Sequence, residues 1–134
     1  MSEAKNNSKP LVIALLVILA VIVVVYAIYA YTNKTNQPGQ LDEFATCLKD
    51  KGAVFYGAFW CTHCQDEKRL FGNSEKLLPY VECSTPDGQS QTKVCVDNNI
   101  TAYPTWVFAD GTRQTGALSL QQLADQTDCQ IPQQ

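Results

Sequence analysis

Residues 53–64 read AVFYGAFWCTHC, a short apolar run followed directly by two cysteines with two residues between them. An apolar run of this length, bounded by Gly52, predicts a buried strand at 53–59. The charged and helix-favouring residues 60–72 then predict a helix that opens at the two cysteines. The cysteine pair is therefore expected at the junction between a buried strand and a helix.

The residues around this junction predict alternating helices and strands. Apolar periodicity and turn-forming residues give a helix at 41–51 ended by Gly52, a strand at 81–83, a turn at 84–90, one or two helical turns at 91–98, and strands at 105–109 and 112–115 joined across Asp110-Gly111. A last helix is predicted from Ser119, with Leu120, Leu123 and Ala124 on its inner face. This order predicts an α/β fold in which helices flank a mixed central sheet.

The N-terminal part of the chain has a different composition. Residues 11–31 are drawn only from Leu, Val, Ile, Ala and Tyr, and a helix of this length covers roughly 30 Å, the thickness of a bilayer core. Tyr26, Tyr29 and Tyr31 lie at its C-terminal end, as interfacial aromatic residues do. A cleaved signal peptide is the alternative, but its apolar region usually has about 7–15 residues and is followed by a small-residue cleavage site. A buried core helix is a third and remote interpretation.

Flanking charges predict the orientation of this span. Lys5, Lys9 and the α-amino group precede it, whereas only Lys34 lies close behind it, so the N-terminus is expected in the cytoplasm. The predicted organisation is a cytoplasmic tail at 1–10, a transmembrane anchor at 11–31, a polar linker at 32–40 and a folded domain at 41–134 outside the cytoplasm.

Charge and cysteine content narrow the class of protein. Ten Lys+Arg against thirteen Asp+Glu give a net charge of −3, which provides no basic face for nucleic acid. Six cysteines in a chain of 134 residues indicate either disulfides in an oxidising compartment or metal binding. The extracytoplasmic position predicted for the domain favours disulfides.

The pair Cys61 and Cys64 predicts thiol–disulfide chemistry. At a helix start, free backbone N–H groups and the positive end of the helix dipole stabilise the thiolate of Cys61, and a thiolate is the nucleophile in thiol–disulfide exchange. Cys64 is then the resolving thiol. His63 can add a positive charge or a hydrogen bond beside Cys61, which favours the reduced state and makes the disulfide a stronger oxidant. The alternative is that His63 is simply solvated, or that Glu67 damps its charge.

Two other interpretations of the pair are weaker. A structural zinc site needs a second close pair of Cys or His ligands, but Cys83 and Cys95 are far apart in sequence and His63 is the sole histidine, so no metal site is predicted. An inert structural disulfide is disfavoured by the strand-to-helix position.

The four remaining cysteines, Cys47, Cys83, Cys95 and Cys129, allow three pairings. Cys83 and Cys95 can close the loop that contains Pro86 and Gly88, which would leave Cys47 for Cys129. The alternative is that some of the four are buried free thiols.

The domain resembles the thioredoxin superfamily over nearly its whole length. The resemblance rests on an apolar strand, on Trp60 before the Cys-x-x-Cys that opens a helix, and on Tyr103-Pro104-Thr105 leading into a strand that ends at Asp110-Gly111. More narrowly, residues 52–61 and 78–84 are similar to the thioredoxin-like domain fused to, or working beside, bacterial and plant homologues of vitamin K epoxide reductase.

This resemblance implies a cis Pro104 that faces the cysteine pair, with Trp60, Thr62 and Tyr103 supporting the site. It implies a membrane partner, similar to vitamin K epoxide reductase, that reoxidises the pair and passes the electrons to a quinone. Exported cysteine-containing proteins would be the substrates, in a plasma, inner or thylakoid membrane, and no cofactor is implied. Many members carry a buried acid where this chain has Phe55, so a water or Glu67 would have to accept the proton of the resolving thiol.

Three functions are compatible with these residues. The first is oxidation of cysteines in exported proteins, and the second is the reverse reaction, a reductase for thiols such as those of apocytochromes. The third is a redox-inert binding module or chaperone that uses the groove near Pro104. The intact cysteine pair disfavours the third function, and His63 favours the first over the second.

Overall fold

The computed structural model describes residues 8–35 and 38–133. The chain divides into one unit that ends at Gln37 and a second unit that begins at Pro38. The described part of the first unit is a single helix, α1 (Ser8–Thr35).

Helix α1 could anchor the protein in a membrane by its length and composition. Its segment Lys9–Thr32 contains an 18-residue window with a mean hydropathy of 3.5, none of which is buried. The helix continues past the predicted end of the span, so residues 32–35 are helical rather than part of a linker. Helix propagation adds one hydrogen bond per residue, and after Pro10 in the first turn of α1 no further proline occurs before Pro38. Residues 1–7 and 36–37 of the predicted tail and linker, Lys5 included, lie outside the described residues.

The second unit is a mixed α/β domain. Its elements are α2 (Asp42–Asp50), β1 (Val54–Gly57), α3 (Thr62–Leu70), a 3-10 helix (Gly72–Leu77), β2 (Tyr80–Glu82), α4 (Lys93–Asp97), β3 (Thr105–Val107), β4 (Arg113–Thr115) and α5 (Leu120–Thr127). The four strands form one sheet in the order β2-β1-β3-β4. Strands β1 and β2 are parallel, and the other two pairs are antiparallel. The predicted α/β class, with a mixed sheet and an N-terminal apolar helix, is confirmed.

Several predicted boundaries were wrong by a few residues. Strand β1 ends at Gly57 because the next carbonyl, that of Ala58, accepts a hydrogen bond from Cys61 N–H in the turn before α3. Helix α3 ends at Leu70, since Gly72 has a φ of 52° that does not continue an α-helix. The 3-10 helix that follows was not predicted. Strand β2 begins one residue earlier than the predicted 81–83.

The hairpin and the two flanking helices agree more closely with the sequence. Gly52 follows α2 with a φ of 76°, as expected for a glycine after a helix end. Strands β3 and β4 pair antiparallel across Asp110-Gly111. Ser119 caps α5 through a reciprocal pair of hydrogen bonds with Gln122. On the inner face of α5, Leu123 and Ala124 are buried, and Leu120 is only half-buried.

Aromatic residues dominate the core beneath the cysteine pair. The rings of Phe55 on β1 and Trp106 on β3 stack at 4.8 Å between centroids, and Tyr80 on β2 meets Phe55 edge-on at 5.3 Å. Phe44 of α2 stacks on Phe71 at 6.0 Å. The centre of the sheet is therefore a tightly packed apolar layer, and β1 leads from this layer to the start of α3.

Candidate active site

The cysteine pair lies at the start of α3. Cys61 is the N-cap residue of α3, with an extended backbone (φ −77°, ψ 113°). Its Sγ accepts a hydrogen bond from Cys64 N–H at 3.3 Å. The sulfur therefore takes the place that a Ser or Asp oxygen takes in other N-caps and satisfies one of the free N–H groups of the helix start. This hydrogen bond, together with the helix dipole, stabilises negative charge on the Cys61 sulfur.

The two sulfurs differ in their access to solvent. The exposed fraction is 8% for Cys61 and 1% for Cys64, and both are free thiols. Burial raises the pKa of the Cys64 thiol to about 12, and its hydrogen bond with the Cys61 side chain adds to the rise. An incoming thiol or disulfide can therefore reach Cys61 first, while Cys64 keeps its proton.

Two exposed aromatic residues directly precede Cys61 in the chain. Trp60 and Phe59 are about half exposed, at 53% and 47%. The Trp60 indole N–H donates to Ser84 Oγ at 2.9 Å, and its ring meets that of Tyr103 edge-on at 5.9 Å between centroids. The next residue, Pro104, is buried and follows a cis peptide bond. The structure thus brings the Tyr103-Pro104 segment to the same end of the domain as Trp60 and the cysteines.

The two residues between the cysteines are exposed. Thr62 is the first residue of α3, and His63 is the second. His63 forms no hydrogen bond or ion pair with any residue in the described part of the chain. An influence of His63 on Cys61 would therefore act through its charge and not through a fixed hydrogen bond.

Gly57 is required by the close packing behind the pair. A Cβ at this position would lie 2.8 Å from Tyr80 Cε2 and 3.1 Å from Cys64 Sγ. Sequence reasoning did not assign a role to this residue. A glycine inside an apolar strand is nevertheless a known sign that another group approaches the backbone closely.

Glu82 was not predicted as a site residue, and its carboxylate stabilises the turn before Cys61. Its Oε1 accepts hydrogen bonds from Phe59 N–H at 3.1 Å and Ser84 N–H at 2.9 Å, and its Oε2 accepts one from the Tyr80 hydroxyl at 2.8 Å. Burial and the bond to Glu82 raise the pKa of Tyr80 above its ordinary value, so this phenol stays protonated. Nothing in the sequence separates Glu82 from an ordinary exposed carboxylate.

Glu67 lies in the core and not on the surface beside His63. It is 1% exposed, and its Oε1 accepts hydrogen bonds from Trp106 Nε1 at 2.7 Å and from Leu118 N–H at 3.0 Å. Burial raises the pKa of the Glu67 carboxyl, although both hydrogen bonds oppose the rise. No ion pair joins Glu67 to His63 among the residues that the structure describes.

The remaining four cysteines are bridged. Cys47 pairs with Cys129 at an S–S distance of 2.05 Å, and Cys83 pairs with Cys95 at 1.96 Å. Of the six cysteines, only Cys61 and Cys64 are free. In residues 8–35 and 38–133, no group of three or more His, Cys, Asp or Glu side chains is arranged to hold a metal ion.

Comparison with known proteins agrees with a redox site. No family model matches the chain. The chain is similar to a protein of Arabidopsis thaliana named thiol-disulfide oxidoreductase LTO1, with 41% identity over 91 residues that make up 64% of this chain and 24% of the relative. The chain therefore spans about a quarter of the length of that relative. This similarity and the free cysteine pair support a place among thioredoxin-like redox proteins.

Proposed function

We propose that this chain is a membrane-anchored thiol–disulfide oxidoreductase that oxidises cysteine pairs of exported proteins. The observation that supports it most strongly is the Cys61 sulfur, which is free, slightly exposed and hydrogen-bonded to Cys64 N–H at the start of α3. The similarity to a relative named as a thiol–disulfide oxidoreductase supports the same class of reaction. The exposed ring of Trp60 beside the sulfur offers an apolar surface to an unfolded substrate chain.

The oxidising reaction proceeds in two exchanges. A substrate thiolate attacks Cys61 Sγ of the Cys61–Cys64 disulfide, forming a mixed disulfide and releasing Cys64 as a thiolate that takes up a proton. A second substrate thiolate then attacks the substrate sulfur of the mixed disulfide and releases Cys61. The substrate gains a disulfide, and its two electrons remain on the reduced pair.

Reoxidation requires a second disulfide. The sequence resemblance suggests a membrane protein similar to vitamin K epoxide reductase, which would accept the two electrons and pass them to a quinone. Helix α1 could hold the domain at the surface of the same plasma, inner or thylakoid membrane, with the lysine-rich N-terminus in the cytoplasm. Tethering of this kind raises the effective concentration of the two proteins, to about the millimolar range for a short linker.

Trapping of mixed disulfides tests this proposal. In the full-length chain, Cys64→Ala leaves the attacking Cys61 but removes the thiol that releases the adduct, so exported substrates and the membrane partner should accumulate as adducts on non-reducing gels. Cys61→Ala is the matched control and should form none. Absence of any Cys61-dependent adduct would contradict the proposed activity and favour a redox-inert binding module.

The same variant also tests the role of α1. Replacing residues 1–37 by a cleaved export signal should reduce trapping of the membrane partner much more than trapping of soluble substrates, because only the first depends on tethering. Equal trapping of the partner with and without α1 would contradict the anchored arrangement and would leave the exchange chemistry intact.

A further inference from the structure

A buried carboxylate lies one helical turn beyond the resolving thiol. Glu67 follows Cys64 by three residues on α3, and residues three apart on a helix are neighbours on one face, with about 5–6 Å between their Cβ atoms. Both side chains are 1% exposed. Glu67 and Cys64 therefore share the same buried face of α3.

Only one oxygen of this carboxylate is occupied. Oε1 is held by Trp106 Nε1 and Leu118 N–H, which come from β3 and from the segment before α5. Oε2 is buried and has no hydrogen-bond partner among the residues that the structure describes. A buried carboxylate oxygen without a partner is costly, and this oxygen has a lone pair available to accept a proton.

The aromatic core explains how the acid is held on α3. On β1, Phe55 is fully buried and stacks on Trp106 at 4.8 Å between ring centroids. This stacking orients the Trp106 ring, and the indole N–H of that ring fixes Glu67 Oε1 at 2.7 Å. Strand β1 thus supplies no acid, but it positions the tryptophan that holds one.

The other titratable groups near Cys64 are unsuited to take its proton. Cys61 is consumed in the mixed disulfide at the moment when Cys64 must ionise. The ring of Tyr80 lies beside Gly57, as does Cys64 Sγ. The Tyr80 hydroxyl already donates its proton to Glu82 at 2.8 Å. Lys68 Nζ lies 3.3 Å from the centroid of the Tyr80 ring. Both oxygens of Glu82 are occupied by hydrogen bonds, as described above.

We propose that Glu67 is the proton acceptor for the Cys64 thiol when the mixed disulfide at Cys61 is resolved. The inference rests on the proposed oxidoreductase function and assigns its proton-transfer step to a residue of this chain.

The reduced pair is reoxidised by an incoming disulfide in two exchanges. The Cys61 thiolate attacks one sulfur of the disulfide and expels the other as a thiolate. The proton of Cys64 Sγ passes to Glu67 Oε2, and the Cys64 thiolate attacks Cys61 Sγ, forming the Cys61–Cys64 disulfide and releasing the second thiolate. Two electrons pass from the pair to the incoming disulfide. In the oxidation of a substrate thiol, Glu67 returns the same proton to the departing Cys64.

Electrostatics favours this transfer over ionisation of Cys64 beside an ionised Glu67. Two adjacent buried anions repel each other, and the Glu67 charge is one of the causes that raise the pKa of Cys64. Moving the proton between the two groups keeps a single negative charge on this buried face of α3. Burial also raises the pKa of Glu67, which brings its basicity closer to that of the thiol.

The test separates attack by Cys61 from resolution by Cys64. The full-length chain in detergent micelles, with Cys61 and Cys64 reduced, is mixed with one equivalent of dithiobis(nitrobenzoate). Attack by Cys61 releases the first nitrothiobenzoate, and resolution by Cys64 releases the second. Glu67→Gln keeps an oxygen acceptor for Trp106 and Leu118 but cannot take up a proton. We expect its second phase to be slower by about 100-fold at neutral pH, with the first phase within about twofold of wild type.

Two further variants make the result specific. Asp66→Asn removes the adjacent carboxylate, which is exposed and paired with Arg69, and should leave both phases unchanged. Glu67→Asp keeps a carboxylate, so its second phase should be faster than that of Glu67→Gln. In the wild type, the rate of the second phase should rise with pH through an inflection that belongs to Glu67, and this inflection should be absent in Glu67→Gln.

Several results would overturn the assignment. A second phase of wild-type rate in Glu67→Gln, an equal slowing of both phases, or a Glu67→Asp variant no faster than Glu67→Gln would show that Glu67 has a structural role only. Failure of the proposed function is distinguishable, because the wild type would then release no nitrothiobenzoate that depends on Cys61.

Discussion

Two cysteine pairs lie close to the same end of the sheet, yet they differ in state and in surroundings. Cys83 and Cys95 are joined between the end of β2 and α4, and both are fully buried. Cys61 and Cys64 are free, and Cys61 at the helix start is slightly more exposed, at 8% against 1% for Cys64. We therefore expect the reactivity of a cysteine in this domain to depend on its position relative to a helix N-terminus and to solvent.

The largest expected difference between the bridged and the free cysteines is in their contribution to the free energy of unfolding. Removing the Cys47–Cys129 bridge by a double substitution to Ala should lower the free energy of unfolding by about 4–5 kcal/mol, and removing Cys83–Cys95 by about 3 kcal/mol, because the two bridges close loops with sequence separations of 82 and 12 residues. Denaturant unfolding of the full-length chain in micelles measures both. The control is the Cys61→Ala/Cys64→Ala variant, compared with wild type in which only Cys61 and Cys64 are reduced, and its stability should change much less. A loss of stability as large as that of either bridge would contradict the difference between the two kinds of cysteine pair.

A smaller effect is expected from the residue between the reactive cysteines. His63→Pro removes an imidazole that can place a positive charge beside Cys61, which should lower the reduction potential of the pair by tens of millivolts, where about 30 mV corresponds to 1.4 kcal/mol. Equilibration of the wild type and the variant with glutathione buffers gives the difference. A potential that is unchanged or less negative would show that His63 does not tune the pair.

The pH dependence of stability should be the smallest effect. Because burial raises the folded-state pKa of Glu67 above its ordinary value of 4.5, its contribution to stability is greatest below that value and is lost as the pH rises through the raised pKa. Glu67→Gln does not titrate, so its stability relative to wild type should increase with pH over this window. Thermal unfolding at a series of pH values measures the difference, and Asp66→Asn is again the control. A constant or falling difference would show that the pKa of Glu67 is not raised in the folded state.

Short-range patterns were enough to predict much of the fold. The apolar run before Cys61, the glycine after α2 and the Asp110-Gly111 turn each act within a few residues, and the elements that they predict are present with small shifts at their ends. The end of α1 was predicted less well, because the polar residues 32–35 contain no proline or glycine that would end a helix already begun in the apolar segment.

The contacts that complete the candidate site could not be predicted in the same way. Glu67 lies in a helix whose other charged residues are mostly exposed, and its partners Trp106 and Leu118 are 39 and 51 residues away in sequence. Glu82 binds the backbone of Phe59 across 23 residues. A pattern along the chain reports local periodicity, whereas these hydrogen bonds depend on how α3 packs against the sheet.

The central claim is that Cys61 and Cys64 form the reversible redox pair and that the other four cysteines are structural. Its most direct test is differential alkylation of the folded full-length chain equilibrated in glutathione buffers of graded potential, followed by mass spectrometry of each cysteine. The account predicts that Cys61 and Cys64 become labelled together over a narrow range of potentials while Cys47, Cys83, Cys95 and Cys129 stay protected. Labelling of any of those four over the same range, or failure of Cys61 and Cys64 to label, would contradict it.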